Sequence, residues 1–275
     1  AYLQTQKPPY VLKADGLALG KGVVIAKTKE EAVDAIHSMM DAKVHGEAGN
    51  RIVIEEFLEG LEISVHAICD GERALMFPSA KDHKRIYEND EGPNTGGMGT
   101  IAPVPIVPQE QMKLIEERIV LPLLRALKER GRPFKGLLFP GVMLTKYGPM
   151  VIEFNARFGD PETQSYMRLM KSDIVPALIA SAEGDLSGTT LEWNEGAVAC
   201  IVMASGGYPG AYEKGKEIRG AEGAMGEGVV VFHAGTKRSG TGALITNGGR
   251  VLNVTALGTD LKDARARAYE GVEQI

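Results

Sequence analysis

The sequence predicts an α+β fold, because runs with the two-residue alternation of strands and runs with helical spacing follow one another along the chain. Residues 61–69 with 74–80, and residues 137–144 with 150–155, are typical of two β-hairpins. From residue 196 onward, short strand-like runs are separated by glycine-rich turns. We therefore expect three domains, at residues 1–59, 60–193 and 194–275, the last of them rich in strands.

The first 59 residues are predicted to form a β-loop-β-α-β unit. A strand over residues 10–13 ends on Lys13, a glycine-rich loop runs to residue 22, and a second strand spans residues 22–26. Thr28 and Glu31 have the spacing of a capping box, which predicts a helix over residues 29–42. A third strand covers residues 51–57.

The later elements follow the two hairpins. Residues 81–100 form a long polar segment, and long ordered loops are usually functional. Helices are predicted over residues 109–130, 163–170 and 173–183, the first of them kinked at Pro122. Further strands are predicted over residues 197–203, 229–233, 243–246 and 250–256, and a last helix begins at Thr259 or Asp260.

Composition and charge argue against several classes of function. The chain has 275 residues, of which 44% are hydrophobic, and a net charge of −5, whereas nucleic-acid binding requires a basic face. No segment has the length of a membrane span, and no signal peptide opens the sequence. Cys69 and Cys200 lie in apolar runs, as buried thiols of a reduced compartment do. We expect a cytoplasmic protein that binds neither nucleic acid nor membrane.

The run from Val151 to Glu162 carries the strongest functional signal. Glu153 and Asn155 alternate along a strand, so both project from one face. A carboxylate and an amide oxygen suit a hard cation such as Mg²⁺. Arg157, a permanent cation, follows at the strand end. The alternative is a solvated strand end with an incidental glutamate.

Two further segments are suited to a nucleotide. The glycine-rich loop from Gly16 to Gly22 lets backbone N–H groups approach phosphate, and Lys21 adds charge, but the spacing is not that of a P-loop. Glu55 and Glu56 end a strand, where a carboxylate can accept from an adenine amino group, and Glu62 can accept from a ribose hydroxyl. The alternatives are a flexible turn and a charged strand edge.

The polar segment over residues 81–100 suggests an anionic substrate. It contains the dense cationic cluster from Lys81 to Arg85 and the glycine-rich run from Asn94 to Gly99, which we expect to offer backbone donors. His83 is a candidate proton carrier. The alternative is a solvated loop in which His83 is polar surface.

The order of these motifs resembles the ATP-grasp fold, and the motifs themselves resemble the phosphoribosylamine–glycine ligase family, the glycinamide ribonucleotide synthetases of purine biosynthesis. The resemblance is carried by the runs KADG (13–16), GKG (20–22), EEFL (55–58), DHKR (82–85), PNTGGMG (93–99) and EFNARFGDPET (153–163). It continues through GGYPG (206–210), FHAGT (232–236) and TNGGR (246–250). It implies a small lid subdomain, a larger central subdomain that holds ATP with it, and a small, mostly β carboxyl-terminal domain.

The resemblance also implies the reaction and the partners. Glycine is joined to 5-phosphoribosylamine through glycyl phosphate, with ATP split to ADP and phosphate and with Mg²⁺ or Mn²⁺ as the metal. The family has an amino-terminal domain that this sequence lacks. No Met opens the chain and its last residues continue a predicted helix, so we expect a fragment that works with the missing domain of the same enzyme.

Residue roles follow from the matched motifs. The residues expected to bind ATP are Lys13, Gly20, Lys21, Gly22, Glu55, Glu56, Phe57, Leu58 and Glu62, and those expected to bind the metal are Glu153 and Asn155. The residues expected to bind the other substrates are Asp82, Lys84, Asn94, Thr95, Gly96, Gly97, Arg157 and Asp160. Lys21, Arg157 and Asp160 are the expected catalytic residues. Two alternatives remain: another ATP-grasp carboxylate–amine ligase, and a truncated ATP-binding fragment without turnover.

Overall fold

The computed structural model describes residues 2–18, 22–224, 226 and 228–275. The chain divides into two compact units, residues 1–59 (unit 1) and residues 60–275 (unit 2). Helices and strands alternate in both units, so the predicted α+β class is confirmed. Within the described ranges, no helix is both long enough and apolar enough to cross a membrane.

Unit 1 is a three-stranded antiparallel sheet with a helix on one face. Its elements are β1 (Tyr10–Ala14), β2 (Val23–Ala26), α1 (Lys29–Ile36), which continues as a π turn over His37–Asp41, and β3 (Ile52–Glu56). The strand order is β2-β1-β3. Leu12, Ala26 and Ala32 are fully buried between the sheet and α1.

The start of α1 follows the sequence signal. The Thr28 side chain accepts a hydrogen bond from the Glu31 N–H at 3.2 Å. Glu31 Oε2 accepts in turn from the Lys27 N–H at 2.6 Å, one residue earlier than a standard capping box. The predicted end at residue 42 lies one residue beyond the π turn.

Unit 2 contains the remaining elements. Its described strands are β4 (Leu61–Ser64), β5 (Ala67–Asp70), β6 (Ala74–Met76), β7 (Lys81–Asp82), β8 (Arg85–Tyr87), β9 (Glu91–Asn94), β10 (Gly99–Ala102), β11 (Lys135–Thr145), β12 (Gly148–Asn155), β13 (Ala197–Ala204), β14 (Val229–His233), β15 (Thr236–Arg238), β16 (Leu244–Thr246) and β17 (Arg250–Gly258). Its described helices are α2 (Gln109–Ile115), α3 (Leu121–Glu129), α4 (Glu162–Leu169), α5 (Val175–Glu183) and α6 (Leu261–Val272). The predicted long helix is divided at Glu116–Val120, a π turn, and Pro122 lies in the first turn of α3.

Unit 2 contains two larger antiparallel sheets, and helix α4 packs against both of them. The first has the order β12-β11-β5-β6, with β4 also paired to β11, and packs against α2 and α3 on one face. The second has the order β14-β17-β13-β10-β7, and α6 covers one of its faces. Helix α4 contacts β10, β13 and β17 of the second sheet, and its Tyr166 packs against Phe77 and Leu137 beside the first. The amino-terminal end of α4 is thereby fixed from two sides.

The second sheet joins strands from both sides of residue 193. β10 pairs with β13 in a continuous register from Gly99 opposite Ile201 to Ala102 opposite Val198. The division of residues 60–275 into two domains near Trp193 therefore stays a prediction.

Candidate functional site

Unit 1 presents an apolar sheet face that carries Lys13. Residues directly opposite in an antiparallel pair lie on the same face, and the register places Lys13 opposite Val23 and Val53, and Val11 opposite Ile25 and Glu55. We call these six residues the open face of unit 1. Val23, Ile25 and Val53 are 46%, 49% and 42% exposed. An apolar surface with one cation suits a flat, partly apolar anion.

The charge of Lys13 is balanced inside that face. Its Nζ lies 2.6 Å from Glu55 Oε2, so an anionic ligand at Lys13 would compete with Glu55. Glu56 and Phe57 are exposed and Leu58 is half-buried in the segment after β3. Gly22 is buried, and its carbonyl accepts from the Ala14 N–H at 2.8 Å. Gly20 and Lys21, both predicted to bind phosphate, lie outside the described residues.

Unit 2 brings together the two predicted metal ligands. Asn155 Nδ2 donates to Glu153 Oε1 at 3.1 Å and lies 3.5 Å from the Phe139 carbonyl oxygen. Gly141 is the residue opposite Glu153 on β11, so no side chain covers the carboxylate there. The Asn155 N–H₂ group is thus used within the protein, while Asn155 Oδ1 and Glu153 Oε2 take part in none of the described hydrogen bonds.

Arg157 is held beside this pair by an aromatic stack. Its guanidinium carbon lies 5.9 Å from the Phe139 ring centroid, and one of its N–H groups donates to the Phe158 carbonyl at 3.0 Å. Phe139 in turn stacks on His66, with ring centroids 4.1 Å apart. The exposed guanidinium is thus positioned by ring contacts, and no described carboxylate pairs with it.

His66 was not identified from the sequence, although it supports the turn that follows Arg157. Its Nε2 accepts from the Gly159 N–H at 3.1 Å, and its Nδ1 lies 3.2 Å from the Tyr166 hydroxyl. Burial, with a smaller contribution from Arg157, lowers the pKa of His66 to about 3. The ring is therefore neutral, with its proton on Nδ1.

The run from Asn94 to Gly99 folds over Asp82. Gly97 has a φ of +112°, and a Cβ added there would lie 2.6 Å from Asp82 Oδ1 and 2.7 Å from Pro161 Cδ. Only glycine fits both the backbone conformation and the space. Asp82 and the Asp160–Pro161 turn therefore meet beneath this run, which we call the glycine loop.

The N–H groups of the glycine loop are used within the protein. The Thr95 N–H donates to the Lys84 carbonyl, the Gly96 N–H to the Tyr208 hydroxyl, and the Gly97 N–H to Thr95 Oγ1, at 2.8, 2.9 and 3.0 Å. The expectation that this loop offers backbone donors to an anion stays a prediction, and for these groups it requires that they exchange their present partners. Side-chain cations around the loop supply the positive charge instead.

Arg250 is the main cation at the loop, and its role was not predicted. It donates to the carbonyls of Gly96 and Asp160, each at 2.7 Å, and to Asp160 Oδ2 at 2.9 Å. Tyr208 and Arg250 both lie in runs that carried the family resemblance, GGYPG and TNGGR, and that was the available signal. Their contacts connect residues 90 to 154 positions apart, which motif spacing alone does not give.

Lys84 and Glu62 form an ion pair in unit 2. Burial works to lower the pKa of Lys84, but Glu62, followed by Asp82 and Glu153, raises it above its usual range. Lys84 therefore stays charged among three carboxylates. Glu62, predicted to accept from a ribose hydroxyl, has this lysine as its partner.

Asp82 has the opposite electrostatic character. Burial, reinforced by the nearby Glu162, raises the pKa of Asp82 to about 7, although Lys84 and Arg250 oppose the shift. Glu162 is itself buried at the start of α4 and accepts from Ser64 Oγ at 2.7 Å. The site thus combines fixed cations with a carboxyl group that titrates near neutrality.

Two protein-family models match the chain. A model described as phosphoribosylglycinamide synthetase, ATP-grasp (A) domain, matches residues 1–163. A second model, described as phosphoribosylglycinamide synthetase, C domain, matches residues 198–275.

Individual relatives carry the same description. The chain is 48% identical over 276 residues to the phosphoribosylamine–glycine ligase of Caulobacter vibrioides and 49% identical over 278 residues to the chloroplastic enzyme of Arabidopsis thaliana. All of this chain is covered in both matches, but only 64% and 52% of those proteins. The chain therefore spans about half to two-thirds of the length of these curated relatives.

Solved structures show the same relationship. The crystal structure of the Thermotoga maritima phosphoribosylamine–glycine ligase matches with a TM-score of 0.87 and 38% identity, over 99% of this chain and 67% of that one. A biotin carboxylase domain from Hydrogenobacter thermophilus, in complex with MgADP, matches with a TM-score of 0.73 and 19% identity. The second match shows likeness of fold alone.

Proposed function

Because the chain belongs to the phosphoribosylglycinamide synthetase family, we propose that it takes part in the ATP-dependent ligation of glycine to 5-phosphoribosylamine. The observation that carries this proposal is the grouping of Glu153, Asn155 and Arg157 at the end of β12, next to the turn that contains Asp160. Oxygen donors for a cation, a permanent positive charge and a charged turn are what transfer of a phosphoryl group to a carboxylate requires.

The donor set suits Mg²⁺ or Mn²⁺. Glu153 and Asn155 supply one carboxylate and one amide oxygen on the same face, and Mg²⁺ is commonly held by few protein oxygens with water and phosphate completing its shell. When bound, the metal neutralises phosphate charge as transfer proceeds. The hydrogen bond from Asn155 Nδ2 to Glu153 Oε1 already holds the two side chains together before a ligand arrives.

The remaining cations have separate tasks. The reaction brings a carboxylate to a phosphoryl group, so positive charge is needed on both. Arg157, exposed and held by Phe139, is suited to the transferring phosphoryl group or the acyl phosphate. Asp160 is assigned to the glycine ammonium, with Arg250 fixing its orientation. Lys84 and the glycine loop, including Asn94, Thr95, Gly96 and Gly97, are assigned to the phosphorylated amine substrate.

The nucleotide assignments are made for each unit by itself. In unit 1, Lys13 would bind phosphate after releasing Glu55, and the open face would cover the adenine ring. Glu55, Glu56, Phe57 and Leu58 are assigned to the edge of the base, and Gly20, Lys21 and Gly22 to the phosphates. Glu62 is assigned to a ribose hydroxyl, and its Oε1 is the oxygen that pairs with Lys84.

Metal-dependent ATP binding is the first prediction. Titration of the chain with ATP, with and without Mg²⁺, should show binding that Glu153→Gln weakens by at least about tenfold, or ~1.4 kcal/mol, with the fold unchanged. Glu192→Gln, which removes another exposed carboxylate, one that pairs with Lys171 outside the proposed metal site, is the matched control and should bind as the wild type does. An Mg²⁺ dependence equal to that of the wild type in Glu153→Gln would refute the metal role.

Turnover is tested separately from binding. ADP release that depends on both glycine and phosphoribosylamine would support ligation by these residues. Because the chain spans 52% and 64% of two relatives, binding without such release favours an ATP-binding fragment. ADP release with a different carboxylate or amine would favour another ATP-grasp ligase.

A cytoplasmic location is also proposed. Cys69 and Cys200 are both buried and free, as in proteins of reducing compartments. The relative from Arabidopsis thaliana is described as chloroplastic, so fractionation of the source cell is the relevant measurement.

A further inference from the structure

Asp82 differs from the other carboxylates around the glycine loop. Its Oδ1 is buried and, among the described residues, has no hydrogen-bond partner. Asp160 accepts from Gln164 and Arg250, Glu162 accepts from Ser64, and Glu62 is paired with Lys84. A buried oxygen without a partner is costly, and native proteins retain such groups mainly where they have a role.

The position of Asp82 connects it to both substrate-binding segments. It ends β7 opposite Thr100, the residue that follows the glycine loop on β10. Its Oδ1 lies 2.6 Å from the position that a Cβ on Gly97 would take, and Pro161 Cδ lies 2.7 Å from the same position. Pro161 follows directly on Asp160. A group held between the glycine loop and Asp160 would therefore lie near this carboxylate.

The charged groups around Asp82 come from four segments. Glu162 of α4 and Glu62 of β4 favour its protonated form, whereas Lys84 of the adjacent segment and Arg250 of β17 favour its ionised form. The balance leaves the pKa of Asp82 at about 7, and a base with a pKa near the working pH is effective in general catalysis.

We propose that Asp82 is the base that takes the proton released when the amine attacks the acyl phosphate. The role rests on the proposed ligase function. The amine nitrogen bonds to the carbonyl carbon, and the bond between that carbon and the phosphate oxygen breaks. The phosphate leaves with the electron pair of the broken bond. The N–H proton passes to Asp82, which then returns it to the departing phosphate and is ready for the next cycle.

The experiment separates the two halves of the reaction. Hydroxylamine is unprotonated at neutral pH and traps acyl phosphates directly, so glycyl hydroxamate formation reports glycine activation alone. Asp82→Asn should form the hydroxamate within about twofold of the wild type. Its phosphoribosylamine-dependent turnover should fall by roughly 10²–10⁴-fold. Asp34→Asn, on the exposed surface of α1, is the control and should retain both activities.

The pH profile distinguishes a base from a group that only supports the fold. The wild type should lose amine transfer as the pH falls below about 7, and Asp82→Asn should lack this limb. Glu162→Gln removes the like charge that raises the pKa of Asp82 most but keeps an oxygen for Ser64, so it should move the limb to lower pH. An unmoved limb would contradict the assignment.

Three other outcomes would overturn the base role of Asp82. Amine transfer by Asp82→Asn within threefold of the wild type would show that the phosphate takes the proton itself and would overturn the proposal. Equal loss of hydroxamate formation and amine transfer would show that Asp82 only maintains the site. A wild type that forms neither product would refute the ligase function, and the base role would fall with it.

Discussion

At the scale of single residues, His66 shows how a buried polar group organises the site. Its two ring nitrogens join the Gly159 N–H, in the turn before α4, to the Tyr166 hydroxyl within α4. Its ring lies against Phe139, which positions Arg157 from the other side. His66 can hold this turn only in its neutral form, because protonation of Nε2 would remove the acceptor for the Gly159 N–H and place a charge in the core.

This arrangement makes stability depend on pH. The pKa of His66 falls from 6.5 to about 3 in the folded chain, so its contribution is complete above pH 6.5 and is lost as the pH falls toward 3. We expect His66→Gln, which keeps an acceptor but cannot protonate, to be less stable at pH 7 by about 1–3 kcal/mol. That deficit should shrink on acidification by up to ~1.4 kcal/mol per pH unit.

Denaturant unfolding at several pH values between 4 and 7.5 measures the effect, with the exposed His37→Gln as the control. A deficit that stays constant over this range would show that His66 is not held neutral by its surroundings.

At the scale of elements, the glycine loop is shaped by the groups on either side of it. Gly97 combines a φ of +112° with a Cβ position occupied by Asp82 and Pro161. Gly188 also has a positive φ, of +75°, but its Cβ position is open. A comparison of alanine substitutions at Gly97 and Gly188 therefore separates the cost of backbone strain from the cost of crowding at Cβ.

We expect Gly188→Ala to cost about 1 kcal/mol, from the left-handed backbone alone. Gly97→Ala should cost roughly 2–4 kcal/mol, because the loop must also move away from Asp82. It should in addition weaken phosphoribosylamine binding, as measured by the KM for that substrate at saturating ATP and glycine. Equal costs for the two variants would contradict the proposed crowding.

The same loop shows what sequence could and could not reveal. Its glycines and the neighbouring Lys84 were predicted to bind substrate, because motif composition is local. The pairing of its N–H groups with Lys84, Tyr208 and Thr95 was not predicted, since it depends on tertiary contacts. Arg250 was missed for the same reason: it lies more than 150 residues from Gly96, and no local pattern marks a cation that bridges two distant turns.

At the scale of the whole molecule, secondary structure was largely predictable and sheet membership was not. Apolar periodicity located the β11–β12 hairpin and the capped α1 within a few residues. The pairing of β10 with β13 joins segments about 100 residues apart, and alternation along a strand does not identify its partner. The expected boundary near Trp193 came from the change to short strand-like runs separated by glycine-rich turns. Such a change in sequence pattern does not show whether strands on its two sides are hydrogen-bonded to each other.

The shared sheet predicts that residues 60–275 unfold as one body. Trp193 is the single tryptophan and lies 5.2 Å from Phe77 and 6.3 Å from Tyr166, ring centroid to ring centroid, so its fluorescence reports this unit. The denaturant midpoint of the tryptophan fluorescence change should equal the midpoint at which the amides of both β10 and β17 lose their hydrogen-exchange protection. The reason is that loss of either strand exposes the edge of β13. A chain ending at Glu195 should lose that cooperative transition, since β10 would have no partner on its β13 side. If the shortened chain keeps a cooperative tryptophan transition and a protected β10, residues 60–193 form an independent domain and the boundary stands.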